Sequence, residues 1–151
     1  GPVGQTASRI LKSFRFQPIV IDLNLDTVRS LVEVGQPAIY GDAAQREILE
    51  AAGIRTARYL LVTVPEVLAR TVIILAARDL NPALRVFVRA RYLQERAWLE
   101  EVGATGIVTE EGETALGLAA QLLREVGADE DRIREEVHRI QKEIGTRMAN
   151  E

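Results

Sequence analysis

The sequence contains no cysteine and only one histidine, His138. The lack of cysteine excludes disulfides, thiolate nucleophiles and cysteine-ligated metals, and it fits a reducing compartment. No apolar run approaches the roughly 18 residues of a membrane-spanning helix. The net charge of −3 argues against a dedicated nucleic-acid surface, which needs a basic face. We therefore expect neither cysteine chemistry nor a nucleic-acid partner.

The remaining composition is that of a folded, globular protein. The 151 residues are 47% hydrophobic and 27% charged, which is sufficient for one domain with a sizeable core. His138 lies in the last predicted helix, so no set of histidine, nucleophile and acid can be placed at a site formed earlier in the chain. We therefore predict that the chain is not an enzyme.

Short apolar runs alternate with segments of helical periodicity as far as about residue 126. Five runs are typical of buried parallel strands, namely "PIVID", "PAIYGDA", "YLLVTVP", "LRVFVRAR" and "TGIVTEE". Asp26 is the predicted N-cap of the helix after the first run. Strands that alternate with helices pair in parallel through right-handed crossovers. The sequence thus predicts an α/β fold with an open, mainly parallel sheet and helices on both faces.

The chain begins on a predicted helix rather than on a strand. Gly1-Pro2-Val3-Gly4 is a G-x-x-G remnant of the G-x-G-x-x-G fingerprint, which joins a first strand to a helix in dinucleotide-binding folds. The helix, the second strand and a strand-end acid then follow in the usual order. We therefore expect a Rossmann-like sheet that lacks its first strand.

The first candidate binding residues are Gly1 and Gly4, at the N-terminus of the first helix. Glycines let the backbone approach a phosphate, and free N–H groups with the helix dipole favour an anion. Asp22 lies 21 residues after Gly1, at a strand end where an acid binds ribose hydroxyls and repels a 2′-phosphate. The alternatives are a tight turn at the glycines, and an Asp22 that caps the next helix or merely ends the strand.

Two further strand ends supply candidates for the same cleft. The "GDA" turn places Asp42 and Ala43 beside the adenine part of such a cleft, and the "TVPE" segment places Thr63 along the same crevice. The alternatives are an N-cap role for Asp42 and an ordinary strand-to-helix turn at Thr63.

Cations and acids cluster at the last two predicted strands. Arg89 and Arg91 alternate in "VRAR", so both point to one face, where they could meet phosphate or carboxylate groups. Salt bridges to Glu110 or Glu111 are the alternative. The cluster Thr109–Glu113 offers oxygen ligands for a hard cation, but charged turns are common, and we predict no metal site.

The chain after Gly127 differs in character from the part before it. A narrow apolar stripe runs along a charged helix, with Asp129 as its predicted N-cap; the stripe consists of Ile133, Val137, Ile140, Ile144 and Met148. Such a stripe packs on its own domain or forms a seam with a partner subunit. We divide the chain into a nucleotide-binding domain, residues 1–127, and a helical extension, residues 128–151.

The segments "GPVGQTASRIL", "PIVIDLNLDTVRSL", "AIYGDAAQREILEAAGI" and "ARYLLVTVP" resemble the RCK domains of K⁺ transport systems, also called KTN or TrkA-N-like domains. "GDA" followed by "ILEAAGI" is the most diagnostic part, because ordinary dehydrogenases lack it. The likeness is closest to the cytoplasmic C-terminal domain of Kef-type monovalent cation:proton antiporters, in which "RARY" and "LEEVGATGIVTEE" before a long helix are typical. It covers about residues 1–126.

This resemblance implies a regulatory domain that binds NAD(H), AMP or another adenine nucleotide. It also implies two-fold pairing through the later helices, and control of a membrane transporter from the cytoplasmic face of the cell membrane. The positions that match the family's binding motif are Gly1 and Gly4 for the phosphates, Asp22 for the ribose, Asn24 for the adenosine, Asp42 and Ala43 for the adenine, and Arg89 for the phosphate end of the cleft.

Two other functions fit parts of the sequence. An NAD-dependent oxidoreductase would have its catalytic domain outside this chain, but the "GDA" and "AAGI" segments and the absence of an acid or base at the cleft argue against it. A dimerisation module without a ligand becomes the better reading if the phosphate loop does not bind. The sequence favours the regulatory domain.

Overall fold

A computed structural model describes residues 1–147, with side chains as far as residue 144. In this part of the chain the strands are short and alternate with helices, as predicted. They are β1 (Val20–Asp22), β2 (Ala38–Tyr40), β3 (Tyr59–Val62), β4 (Arg85–Ala90) and β5 (Gly106–Thr109).

The five strands form two parallel sheets. β1 pairs with β2, with Ile21 opposite Ile39. The second sheet has the order β3-β4-β5, with Leu61 opposite Phe87. β1 and β3 do not pair with each other among the described residues. The prediction of an α/β fold with open, parallel sheets is confirmed.

A helix follows each strand, while α1 precedes β1 and α7 follows α6. The helices are α1 (Pro2–Ser13), α2 (Leu25–Glu33), α3 (Arg46–Ala51), α4 (Val67–Leu80), α5 (Arg96–Glu101), α6 (Glu110–Glu125) and α7 (Glu130–Arg147). Short 3₁₀ turns lie at Ile54–Thr56 and Leu93–Glu95. Within residues 1–147, no helix is both long and apolar enough to cross a membrane.

The prediction that Asp26 caps α2 is wrong. The N-cap is Asn24, whose Oδ1 accepts a hydrogen bond of 2.9 Å from the Thr27 backbone N–H. Asp26 lies instead inside the first turn, where its negative charge interacts favourably with the positive end of the helix dipole. The chain turns directly after Asp22, so the helix starts two residues earlier than the acid at position 26 suggests.

The hydrophobic core lies between α4 and one face of the larger sheet. α4 has an almost wholly apolar inner side, and its residues pack against alternate strand residues that point to the same face. The buried members are Ile73, Ile74, Ala77 and Leu80 from α4, and Val62, Val86, Val88 and Ala90 from the strands. Leu49 of α3 and Leu99 of α5 close the core on either side, both fully buried.

The opposite face of the larger sheet is only partly covered. α1 lies over it across an apolar cleft of about 890 Å³, and the cleft continues between the facing edges of β1 and β3. Phe16, just after α1, makes an edge-to-face contact with Tyr59, with ring centroids 6.0 Å apart. Leu61, Phe87 and Val108 on this face remain about half exposed. Helices thus lie on both faces of the sheet, but one face is incompletely packed.

α7 packs on α6 through the first residue of the apolar stripe. Ile133 is buried, whereas Val137, Ile140 and Ile144 are only partly buried. The N-cap prediction for Asp129 is confirmed, because its carboxylate accepts a hydrogen bond of 2.9 Å from the Arg132 backbone N–H. Met148, the last predicted residue of the stripe, lies outside the described residues. The division at residues 127 and 128 stays a prediction.

Arg124 joins α6 to α7 through an ion pair with Glu130, with Nε 2.7 Å from Oε1. The hydrogen bond from Arg124, reinforced by charge attraction, holds the pKa of Glu130 below its ordinary value of 4.5. Because the folded-state pKa is lowered, the stabilisation is present above the unfolded pKa and is lost as the pH falls through the folded value.

We expect the Arg124→Gln variant to raise the pKa of Glu130 towards 4.5, because the charged donor is removed. A carboxyl-carbon NMR titration of the folded protein measures this pKa. Arg29→Gln, a change on α2, is the control and leaves the pKa of Glu130 where it was. An unchanged pKa in Arg124→Gln would show that the pair does not form in solution.

Candidate functional site

The start of α1 and the end of β1 meet at the carboxyl edge of the smaller sheet. The backbone nitrogen of Gly1 lies 3.8 Å from Asp22 Oδ2, and the Asp22 side chain is 24% exposed. The Asp22 backbone C=O accepts a hydrogen bond of 3.1 Å from the Gly41 N–H, which follows β2. The carboxylate predicted to bind ribose therefore faces the helix end predicted to bind phosphate.

The same helix end also reaches the larger sheet. A Cβ placed on Gly4 would lie 3.3 Å from Thr63 Oγ1, so the glycine allows a close approach between α1 and the residue that follows β3. Parallel strands present their carboxyl ends at one edge, and a ligand binds where the strand order reverses. Gly1, Gly4, Asp22 and Thr63 are thus brought together, as the sequence pattern predicts for a cleft.

Asn24 lies beside Asp22 and is fixed by it. The Asn24 N–H donates to Asp22 Oδ1 at 2.8 Å, while the Asn24 side-chain oxygen caps α2. This arrangement uses Oδ1 of Asp22 within the protein. Oδ2, the oxygen near Gly1, is the one available to accept hydrogen bonds from ribose hydroxyls. The structure places Asn24 next to the candidate site but leaves its proposed adenosine contact untested.

Asp42 forms a turn rather than a helix cap. Its Oδ1 accepts a hydrogen bond of 2.9 Å from the Ala44 N–H, and the N-cap of α3 is Gln45. The N-cap alternative for Asp42 is therefore wrong. A glycine is required at position 41 by packing, because a Cβ there would lie 2.5 Å from Ile48 Cδ1. Ala43 packs partly against the core. The hydrogen bond from the Gly41 N–H to the Asp22 C=O places the "GDA" turn next to the end of β1.

Arg89 forms a salt bridge with Glu110, which was the alternative to a phosphate contact. Its Nε donates to Glu110 Oε1 at 2.6 Å, and the two residues belong to β4 and the first turn of α6. Arg91 lies over the ring of Tyr92, with its guanidinium carbon 5.1 Å from the ring centre. The structure does not bring Arg89 into contact with Gly4 or Asp22 among the interactions it describes. A role for Arg89 at the phosphate end stays a prediction.

The acidic cluster at residues 109–113 forms a helix start. Thr109 caps α6, its Oγ1 accepting a hydrogen bond of 3.2 Å from the Gly112 N–H, and α6 begins at Glu110. Within the described residues, no group of three or more potential metal-ligating side chains is assembled. The acidic side chains in the first turn interact favourably with the positive end of the α6 dipole.

Sequence reasoning missed a buried ion pair between Arg70 of α4 and Glu95, which precedes α5. The Arg70 side chain is 1% exposed and the Glu95 side chain 8% exposed. Arg70 follows Val67 and precedes Ile73 and Ile74 at helical spacing, so it belongs to the inner, buried side of α4. A cation at a core position is the signal that could have found the pair.

The assembled residues offer groups that can bind a ligand. The cleft offers a carboxylate, backbone N–H groups at a helix start and the Thr63 hydroxyl, which together suit hydroxyl and phosphate groups.

The family model of the TrkA-N domain matches residues 1–110 of this chain. The chain belongs to the TrkA-N domain family. The resemblance to TrkA-N-like domains that the sequence motifs indicated is confirmed.

Similar proteins agree with this TrkA-N assignment. The crystal structure of the TrkA-N domain of inner membrane protein YbaL from Escherichia coli has a TM-score of 0.75 and 30% identity, covering 85% of this chain and 91% of that one. The glutathione-regulated potassium-efflux system protein KefC of Cronobacter sakazakii is 29% identical over 127 residues, which is 84% of this chain and 20% of KefC. The chain spans about a fifth of the length of the curated relatives it matches.

A third comparison supports the fold over almost the whole chain. The C-terminal domain of Kef from Shewanella denitrificans, solved in an AMP-bound form, has a TM-score of 0.82 and covers 99% of this chain and 91% of that one, at 21% identity. At this identity the likeness shows the fold alone. It extends beyond the residues that the TrkA-N model matches, and therefore includes α6 and α7.

Proposed function

We propose that this TrkA-N domain binds an adenine nucleotide at the carboxyl edge of its sheets and thereby regulates a monovalent cation transporter. The observation that carries the proposal is the convergence of Gly1, Gly4, Asp22 and Thr63 at one edge. These residues come from three separate segments, and the topology brings them to the place where α/β folds bind nucleotides.

Each group has a defined role in the proposed complex. The first turn of α1 has free N–H groups and a positive dipole end, which favour phosphate. Asp22 Oδ2 accepts hydrogen bonds from the ribose hydroxyls, and Asp42 with Ala43 lines the adenine side. The Asp22 charge repels a 2′-phosphate, so AMP, ADP, ATP or NAD(H) is favoured over NADP(H).

The comparisons support a regulatory role in transport. The solved Kef domain of similar fold contains AMP, and KefC is a potassium-efflux system protein. We propose that the nucleotide shifts the relative arrangement of two paired domains at the cytoplasmic face of the membrane. Such a shift requires that the nucleotide bind one arrangement more tightly than the other.

Pairing of two copies through the later helices is supported by exposed apolar side chains. Leu118 and Leu122 lie four residues apart on one side of α6, and Val126, its C-cap, continues the same spacing; each is more than 60% exposed. Burial of such patches drives association.

We expect the Leu118→Asp/Leu122→Asp variant to be monomeric, because a charge at each position would have to be buried in the dimer. Sedimentation velocity measures the mass in solution. Val34→Asp is the control, since Val34 is also exposed but lies after α2. A dimer that persists in the double variant would contradict pairing through α6.

Isothermal titration with AMP, ADP, ATP, NAD⁺ and NADH tests the proposed function. The regulatory proposal predicts a single site per chain for at least one of the five. A dimeric protein that binds none of them would leave a dimerisation module. The alternative, an NAD-dependent oxidoreductase fragment, predicts binding restricted to NAD⁺ and NADH, together with hydride transfer once the rest of the protein is present.

A further inference from the structure

The buried Arg70–Glu95 pair touches two loops at the carboxyl edge of the larger sheet. Arg70 Nη1 donates to the backbone C=O of Pro65 at 3.0 Å and of Val64 at 3.3 Å, just after β3. Glu95 Oε1 accepts from the backbone N–H groups of Arg91 and Tyr92. One oxygen of Glu95 thus holds the loop after β4, while the other is bound to Arg70 Nη2.

The contacts continue to the first turn of α6. The Glu111 N–H donates to the Arg91 C=O at 3.1 Å, and Glu111 Oε2 accepts from the Leu93 N–H at 2.9 Å. The loops after β3 and β4 and the start of α6 are therefore joined in sequence, with the ion pair between the two loops. Thr63 is the first residue of the loop after β3 and directly precedes Val64, whose backbone C=O accepts a hydrogen bond from Arg70.

Stability alone does not account for this pair. Two charges are removed from water, and Arg70 Nε is buried without a hydrogen-bond partner among the described residues. Replacing a buried ion pair with well-packed apolar residues is often neutral or stabilising. What apolar side chains cannot supply is the set of hydrogen bonds that fixes the four backbone groups of two loops.

We propose that Arg70 and Glu95 are positioning residues that hold the loops after β3 and β4 in the geometry needed for nucleotide binding. The inference rests on the proposed function, because it concerns the same site. The pair does not touch the nucleotide; it keeps the Thr63 side of the cleft fixed relative to the Arg91–Tyr92 loop. Binding to a site that is already ordered avoids the cost of ordering it.

The test compares the parent protein with the Arg70→Met/Glu95→Leu variant. We expect the double variant to unfold at a urea concentration similar to that of the parent, since both charges are removed together. We expect the Kd for AMP to rise about tenfold, because the loops must now be ordered on binding. A double variant that binds AMP as tightly as the parent and is as stable as the parent would overturn the proposal.

Hydrogen exchange gives a second reading that needs no nucleotide. The amides of Arg91 and Tyr92 are protected in the parent if Glu95 holds them, and they lose that protection in the double variant at unchanged global stability. If the double variant does not fold, Arg70→Lys replaces it, because lysine keeps a charge beside Glu95 but lacks the guanidinium fork that also reaches Val64 and Pro65.

Asp79→Asn is the matched control. Asp79 also lies on α4, but its ion pair with Arg46 is exposed, and both affinity and protection should stay as in the parent. A parent protein that binds no nucleotide would refute the proposed function and with it the positioning role for the nucleotide, whereas the exchange of the two amides would still show whether Glu95 holds the loop after β4. Unprotected amides in the parent would overturn that role.

Discussion

We expect the Asp22→Ala variant to bind adenine nucleotides about 10- to 100-fold more weakly than the parent, as for the loss of hydrogen bonds to a charged group. Asp22 Oδ2 is the carboxylate oxygen that faces the α1 end, and the side chain is partly exposed. Isothermal titration with the tightest of the five nucleotides measures the change.

Two companion variants separate binding from structure. Asp22→Asn retains an oxygen to accept the Asn24 N–H, so the turn before α2 is preserved while the charge is lost. Its affinity should also fall, although by less than in Asp22→Ala. Asp26→Ala removes an exposed carboxylate four residues away and should bind like the parent. Equal affinity in Asp22→Ala and the parent would refute the ribose role.

The second large effect concerns the folded state. We expect Leu49→Ala to lower the free energy of unfolding by about 2–5 kcal/mol, since the variant leaves a cavity in the core. Leu49 belongs to the "ILEAAGI" segment and is fully buried beside Ile54. The half of the motif that follows "GDA" therefore stabilises the core, whereas the "GDA" turn itself lines the candidate site.

Urea unfolding measures this change. Leu68→Ala is the matched control, because Leu68 is 81% exposed and its truncation should alter the unfolding free energy by no more than about 0.5 kcal/mol. A loss below about 1 kcal/mol in Leu49→Ala would mean that the neighbouring side chains close the cavity, and that α3 is packed less firmly than the structure indicates.

The fold was predictable because the strand and helix patterns are strong and regular. The lengths of the strands were less predictable, and particular contacts explain why the observed strands are shorter than the apolar runs. The third run, "YLLVTVP", ends as a strand at Val62 because the carbonyl groups of Val64 and Pro65 bind Arg70 instead of a neighbouring strand. The first run begins pairing only at Val20, since the Pro18 C=O is bound by the Gln36 side chain.

The candidate site was predictable to the extent that it depends on topology. Parallel strands bring Asp22 and Thr63 to one edge, and the helix that starts at Pro2 brings Gly4 to them. The core position of Arg70 on α4 could be read from the sequence, but Glu95 as its partner could not, because the two residues are 25 positions apart and meet only through the packing of α4 and the loop after β4. The spacing of the two residues in the sequence carries no information on such a contact.

An amide NMR titration with AMP shows whether a nucleotide occupies the edge formed by Gly4, Asp22 and Thr63. We expect saturable shifts at the first turn of α1, at Asn24, at the turn around Asp42 and next to Thr63, with little change in α7. Shifts confined to α6 and α7, or none at millimolar AMP, would contradict binding at this edge.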